Sequence, residues 1–144
     1  MPDIRHLIPI DAPPETVYPL VSTPRGLSRW WTEDAPEPDA KGGVALGFFD
    51  RTTVYRLEPL ERAAPRTARW VCTTGEEWEG THLEFVLEPV PTGTRLRFTH
   101  ARWRKETDYF TSCTTTWGEL LYRLKATAEG HGRGPLFLRN ALAL

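Results

Sequence analysis

Two cysteines, one methionine and four histidines leave this chain poor in the side chains that build disulfide frameworks, metal clusters and thiol nucleophiles. Cys72 and Cys113 cannot make a disulfide framework, and free cysteine behaves as a small buried hydrophobe. Cys72, Cys113, His6 and His100 fit no metal-ligand spacing, so no metal and no cofactor are expected. No cationic neighbour is evident that would turn either thiol into a nucleophile. No apolar run approaches the roughly 18 residues of a membrane span. Met1–His6 lacks a basic patch leading into an apolar run. A cytoplasmic protein without membrane contact is therefore expected. Neither sign of charge is in excess: 18 basic residues face 19 acidic ones, and the basic ones are spread along the chain. That argues against nucleic acid as a partner, which needs a concentrated basic face. The one basic-aromatic cluster, His100–Lys105, reads as a solvated turn with Trp103 packed on the body.

What the chain has in quantity is tryptophan, six in 144 residues. Tryptophan brings large contact area with one polar edge, which suits cores and ligand pockets alike. The length and an apolar fraction of 40% support one domain, residues 1–144, with a real core.

Apolar periodicity supplies the elements. Ile4, His6, Ile8 and Ile10 share one face of a strand. Asp11–Glu15 reads as a helix start with proline in its first turn, and Val17, Leu20 and Val21 form the buried stripe. Thr23-Pro24 repeats the signal, and Leu27, Trp30 and Trp31 fall on one helical face. After a breaker-rich loop over 33–43 come strands at 44–49, 52–60, 66–74, 81–88 and 94–100, joined by short turns as an antiparallel meander. From Tyr109 the period becomes helical, with Phe110, Cys113, Trp117, Leu120, Leu121, Leu124 and Ala128 on one stripe. Gly130, Gly132 and Gly134 end that helix. The apolar tail 135–144, with Leu136, Phe137, Leu138, Leu142 and Leu144, must dock on the body or on a second copy, which allows a homodimer.

Ile10-Asp11-Ala12-Pro13-Pro14 with Val17, then Pro24, Leu27, Trp30 and Trp31, resembles the opening of the START-like superfamily, also called SRPBCC or Bet v 1-like. Gly80-Thr81, Phe85, Leu87-Glu88-Pro89, Gly93-Thr94 and Phe98-Thr99-His100 are similar to the last two strands of its branch of heat-shock-protein-90 ATPase activator homologues and polyketide cyclase-like proteins. Trp117, Leu120 and Leu124 with the glycine-rich stretch resemble its closing helix. The resemblance implies an α+β helix-grip fold: a curved antiparallel sheet of about six strands around a long C-terminal helix, with two short helices after strand one. It implies a cavity and no particular reaction.

In such a fold the dry sheet face looks at the long helix. Trp30, Trp31, Tyr55, Trp70, Cys72, Phe85, Leu87, Phe98, His100, Phe110, Cys113 and Trp117 are the expected ligand-binding lining, with the Trp30-Trp31 pair near the mouth. His100 is the first choice for a polar anchor or a base. Glu76, Glu77 and Glu79 read as solvated turn carboxylates, with Trp78 between them as a candidate cap. The expected function is binding of a small hydrophobic molecule, aromatic or polycyclic, in an internal hollow, and binding rather than turnover. The alternatives are a polyketide cyclase or dehydratase and a chaperone-interacting module.

Overall fold

The period-two segments become strands β1 (Ile4–Ile10), β2 (Val44–Phe48), β3 (Thr53–Ala63), β4 (Thr67–Cys72), β5 (His82–Val90) and β6 (Gly93–Ala101). Between β1 and β2 lie α1 (Pro14–Ser22) and α2 (Pro24–Leu27), and α3 (Asp108–Ala128) follows β6. The computed structural model describes residues 1–139. The strands form one antiparallel sheet in the order β1-β6-β5-β4-β3-β2. β2 to β6 are a meander, and β1 closes alongside β6 with Ile4 opposite His100 and Ile10 opposite Thr94. Register against β4 shifts between Pro59 and Arg62 of β3, a bulge that bends the sheet. Leu83, Phe85 and Leu87 of β5 stand opposite His100, Phe98 and Leu96 of β6, and this row faces inward. α3 covers the inner face with its predicted stripe. This is the expected helix-grip arrangement.

α1 begins with Pro14, which gives up no needed N–H. Its C-terminal carbonyls would be left without partners as the helix ends. Three side chains from outside the helix satisfy them. The Thr23 hydroxyl donates to Pro19 O (2.8 Å), the Trp30 indole to Leu20 O (2.9 Å) and the Trp70 indole to Val21 O (3.0 Å). Two of the six tryptophans thus cap a helix as well as fill the core.

The Thr23 hydroxyl also accepts from the Gly26 N–H at 2.9 Å, capping α2. The helical face expected through Trp31 is not formed, because α2 ends at Leu27. The Ser28 hydroxyl donates to Arg25 O, and the chain leaves the helix through turns. Two remaining bonds, from Trp30 N–H (3.4 Å) and Trp31 N–H (2.9 Å) to Leu27 O, keep both tryptophans pointing inward.

The tail docks on the body as far as it is described. Leu136 and Phe137 N–H groups donate to Trp30 O and Trp31 O, and the Glu33 N–H donates to Phe137 O. Phe137 packs edge-on against Phe48 and Phe49. Buried Asp34 accepts from Arg51 and pairs with Arg139 of the tail. Leu142 and Leu144 lie outside the described residues.

Two glycines give a direct test. A Cβ on Gly26 would sit 2.0 Å from Pro19 O, because α2 lies hard against α1, whereas a Cβ on Gly118 of α3 meets nothing within 4 Å. Gly26→Ala should cost at least about 3 kcal/mol in urea unfolding or abolish folding. Gly118→Ala should stabilise by roughly 0.5–1 kcal/mol, because the helix interior favours alanine. Equal effects would contradict this packing of α1 on α2.

Candidate functional site

The inner face is closed by rings stacked on rings. All twelve residues of the expected lining are buried; eleven belong to one continuous apolar core, and the twelfth, His100, is a buried polar residue. The centre is held by Trp78, from the loop over residues 73–81 between β4 and β5. Its indole lies parallel to Tyr55, with centroids 4.1 Å apart and planes 6° apart. It is also nearly parallel to Trp117, at 6.3 Å and 16°. His100 meets its edge at 4.5 Å, and Trp31 lies at 6.2 Å. Trp117 touches Trp31 (5.0 Å) and Phe98 (4.3 Å) in turn. The open hollow expected between sheet and helix is therefore occupied in this structure by Trp78 and its neighbours. Two concavities among the described residues lie outside it. One, of about 340 Å³, is lined by Glu76, Glu77, Trp103, Arg104, Lys105 and Thr107. The other, of about 430 Å³, lies at Asp11–Pro14 and Pro89–Gly93.

The expected site residues split into groups. Trp31, Tyr55, His100, Cys113 and Trp117 surround Trp78, and Phe98 packs on Trp117. Trp31 is no longer near a mouth but 1% exposed. Trp30 and Trp70 are turned toward α1, with Trp30 edge-on to Phe85 and Arg62 stacked 4.2 Å over Trp70. Leu87 is plain core. Phe110 packs against Trp103, which is buried on the body as expected. Cys72 donates to Thr74 O.

His100 sits in a defined relay. The Trp117 indole N–H donates to His100 Nδ1 (3.1 Å), so Nε2 carries the proton and donates to Thr81 Oγ1 (2.9 Å). The Thr81 hydroxyl donates onward to Trp78 O at 2.6 Å. Both ring nitrogens are committed, and burial drives the His100 pKa down to about 3. A neutral imidazole with no free nitrogen serves neither as a base nor as a ligand anchor while this relay stands. His6 is half-buried against Phe98, its pKa lowered by burial, and its Nε2 has no partner. Burial raises both thiols, Cys72 to about 11, which leaves them protonated.

At the rim, the Tyr55 and Tyr109 hydroxyls share a 2.6 Å hydrogen bond. Burial raises both phenols, Tyr55 to about 12, so the pair keeps two protons and has only one committed between them. The Cys113 thiol lies beside Tyr109 and beside the Trp78 indole N–H. Sulfur is a weak acceptor, and the indole N–H makes no hydrogen bond of ordinary geometry. Sequence reasoning assigned Trp78 a capping role and did not find Thr81. The available signal was a tryptophan among glutamates in a turn bounded by Gly75 and Gly80, followed directly by threonine.

The relay predicts an acid-sensitive fold. His100 titrates near 6.5 when unfolded and near 3 when folded. Between those values the unfolded chain binds more protons, so stability falls as pH drops below about 6.5, by up to about 1.4 kcal/mol per pH unit. His100→Gln, neutral at every pH, should be less stable at pH 8 yet lose stability less steeply from pH 6.5 to 4 in urea titrations. Parallel slopes would show that His100 is not a buried neutral group.

A family model described as Activator of Hsp90 ATPase homolog 1-like protein matches residues 11–129. Among solved structures, the Aha1 dimer from Colwellia psychrerythraea is 31% identical, with a TM-score of 0.79, covering 91% of this chain and 98% of that one. DynU16, a protein of the dynemicin biosynthetic locus, is similar at 15% identity and a TM-score of 0.76, over 95% of this chain and 51% of its own. CalU16 from Micromonospora echinospora follows at 21% and 0.69, over 93% and 68%. At those identities the last two report on fold. No curated protein matches the chain.

Proposed function

The chain belongs to the family of Activator of Hsp90 ATPase homolog 1-like proteins, and we propose that it acts as a binding module whose exterior engages a chaperone ATPase of the Hsp90 class. The observation that carries this reading is the filled interior. With Trp78 seated, aromatic rings occupy the space between the sheet and α3, and burial favours the neutral forms of His100 and both thiols. A molecule closed in this way offers a preformed outer surface to a partner. That surface carries paired charges, such as Arg97 with Glu88 (2.9 Å) and Arg69 with Glu84 (3.0 Å) on the outer sheet face. Exposed pairs of this kind add little to stability and can re-pair with a partner. No helix of the described residues is long and apolar enough to cross a membrane. The Colwellia relative is described as a dimer, and self-association is part of this proposal.

A second reading, a small hydrophobic ligand held between sheet and helix, is favoured by one observation. The residue that fills the space is borne on a loop and not on a strand or on α3. A polyketide cyclase or dehydratase version would need a base in the same place, and His100 has none to give.

Addition of the protein to the Hsp90-class chaperone of its own host should raise steady-state ATP hydrolysis at least twofold. The effect should weaken as salt rises from about 0.1 M to 0.5 M, over which the screening length shrinks by about half. No stimulation, together with no co-migration on size exclusion, would end the module reading.

A further inference from the structure

Trp78 is held by its loop in a way that permits exit. Gly75 and Gly80 bracket the segment with φ of +103° and +87°, conformations natural to glycine and open to large backbone change. Gly75 also lies flat on the Tyr55 ring, where an added Cβ would come within 2.6 Å of Cε1. Outside, the loop is latched by two bonds. Arg104 donates to Glu76 O (2.6 Å), and the Thr107 hydroxyl donates to Glu77 Oε1 (2.5 Å). These latch residues line the 340 Å³ depression at the surface, and Glu77, one of them, immediately precedes the tryptophan in the chain. The exit path therefore opens into an existing concavity.

The indole itself is poorly matched to its place. Its ring stacks well, but its N–H lies beside the Cys113 sulfur, a weak acceptor, and makes no hydrogen bond of ordinary geometry. A buried N–H with only a weak sulfur acceptor beside it lacks a proper partner. The Tyr55–Tyr109 pair has one uncommitted proton, and a flat molecule presenting an acceptor oxygen to that pair would take it.

We propose that Trp78 is a displaceable plug, and that the slot it fills against Tyr55 and Trp117 is a binding site for a planar bicyclic aromatic carrying a carbonyl-type acceptor. The ligand rests on the Tyr55 face, the acceptor takes a hydrogen bond from the Tyr55–Tyr109 pair, and the loop swings toward the Arg104 side. This deepens the second reading above and rests on it. The near-parallel Tyr55 and Trp117 rings make the slot selective for flat rings over bulky aliphatic molecules.

The test uses chromone, which has the acceptor, and naphthalene, of similar size without it, titrated calorimetrically into three forms of the full chain. Trp78→Ala removes the plug, and Arg104→Ala removes a latch on the surface without touching the core. Chromone should bind Trp78→Ala at least tenfold more tightly than wild type, with Arg104→Ala between them. Naphthalene should bind Trp78→Ala at least fivefold more weakly than chromone does, and Tyr109→Phe on the Trp78→Ala background should narrow that gap. If Trp78→Ala does not fold, the Arg104→Ala comparison and amide exchange over residues 75–80, faster with chromone than without, decide the matter. Aromatic binding that is unchanged by Trp78→Ala and Arg104→Ala would overturn the plug while leaving the ligand reading standing. No binding of either probe to any form would overturn both.

Discussion

The chain of hydrogen bonds from the Trp117 indole through His100 and Thr81 to the Trp78 carbonyl ties together the parts that would otherwise only touch. It joins α3 to β6, and β6 to the loop between β4 and β5. Each member is buried, so each must keep its partner, since an unpaired polar group in an apolar interior costs about 1–3 kcal/mol. The tautomer of His100 is a consequence of this order and not a free variable. So is the depth of the loop: Thr81 can serve His100 and the Trp78 carbonyl together only when Trp78 is inside.

The tryptophans divide by what their N–H groups do. Those of Trp30 and Trp70 close the end of α1, and that of Trp117 opens the relay. Those of Trp78 and Trp103 have no acceptor. The first three are therefore fixed by polar geometry as well as by packing. The indoles of the last two make no such bond and rest on ring contacts, and both lie on the side where the 73–81 loop meets the segment leading into α3. Rigidity is unevenly distributed across one continuous aromatic core, and its looser side is the one next to the surface depression.

Element order and the inward faces of β4, β5, β6 and α3 were legible from period alone, because each has one wet and one dry face. Three things were not. The short helix was extended through Trp31, since i, i+3, i+4 spacing is also compatible with turns that keep two side chains inward. The pairing of β1 with β6 joins residues some 90 positions apart (Ile4 with His100), and no local pattern encodes it. The interior was expected to be hollow, because periodicity marks which surfaces are apolar but not whether facing surfaces meet. What filled the space came from a turn whose glutamates and glycines mark it as exposed. His100 read as an anchor for the same reason: its partner Thr81 lies nineteen residues away, on a neighbouring strand end.

Removing a buried tryptophan side chain from a packed core costs about 3–5 kcal/mol. If loop opening costs as much, the open form stays below about 1% of molecules. Whole domains of ordinary stability unfold at about 5–15 kcal/mol, so such an opening lies within reach of the folded state. A ligand stacked on Tyr55 replaces the lost ring contacts and adds the hydrogen bond that the indole does not make. Its apparent affinity is reduced by the closed fraction, and that reduction is also what keeps an aromatic slot from binding every flat molecule it meets. The same closed form is the one that offers a partner protein a fixed exterior. Occupancy of the slot and the shape of the surface around Glu76, Glu77 and Arg104 are thus two readings of one loop position.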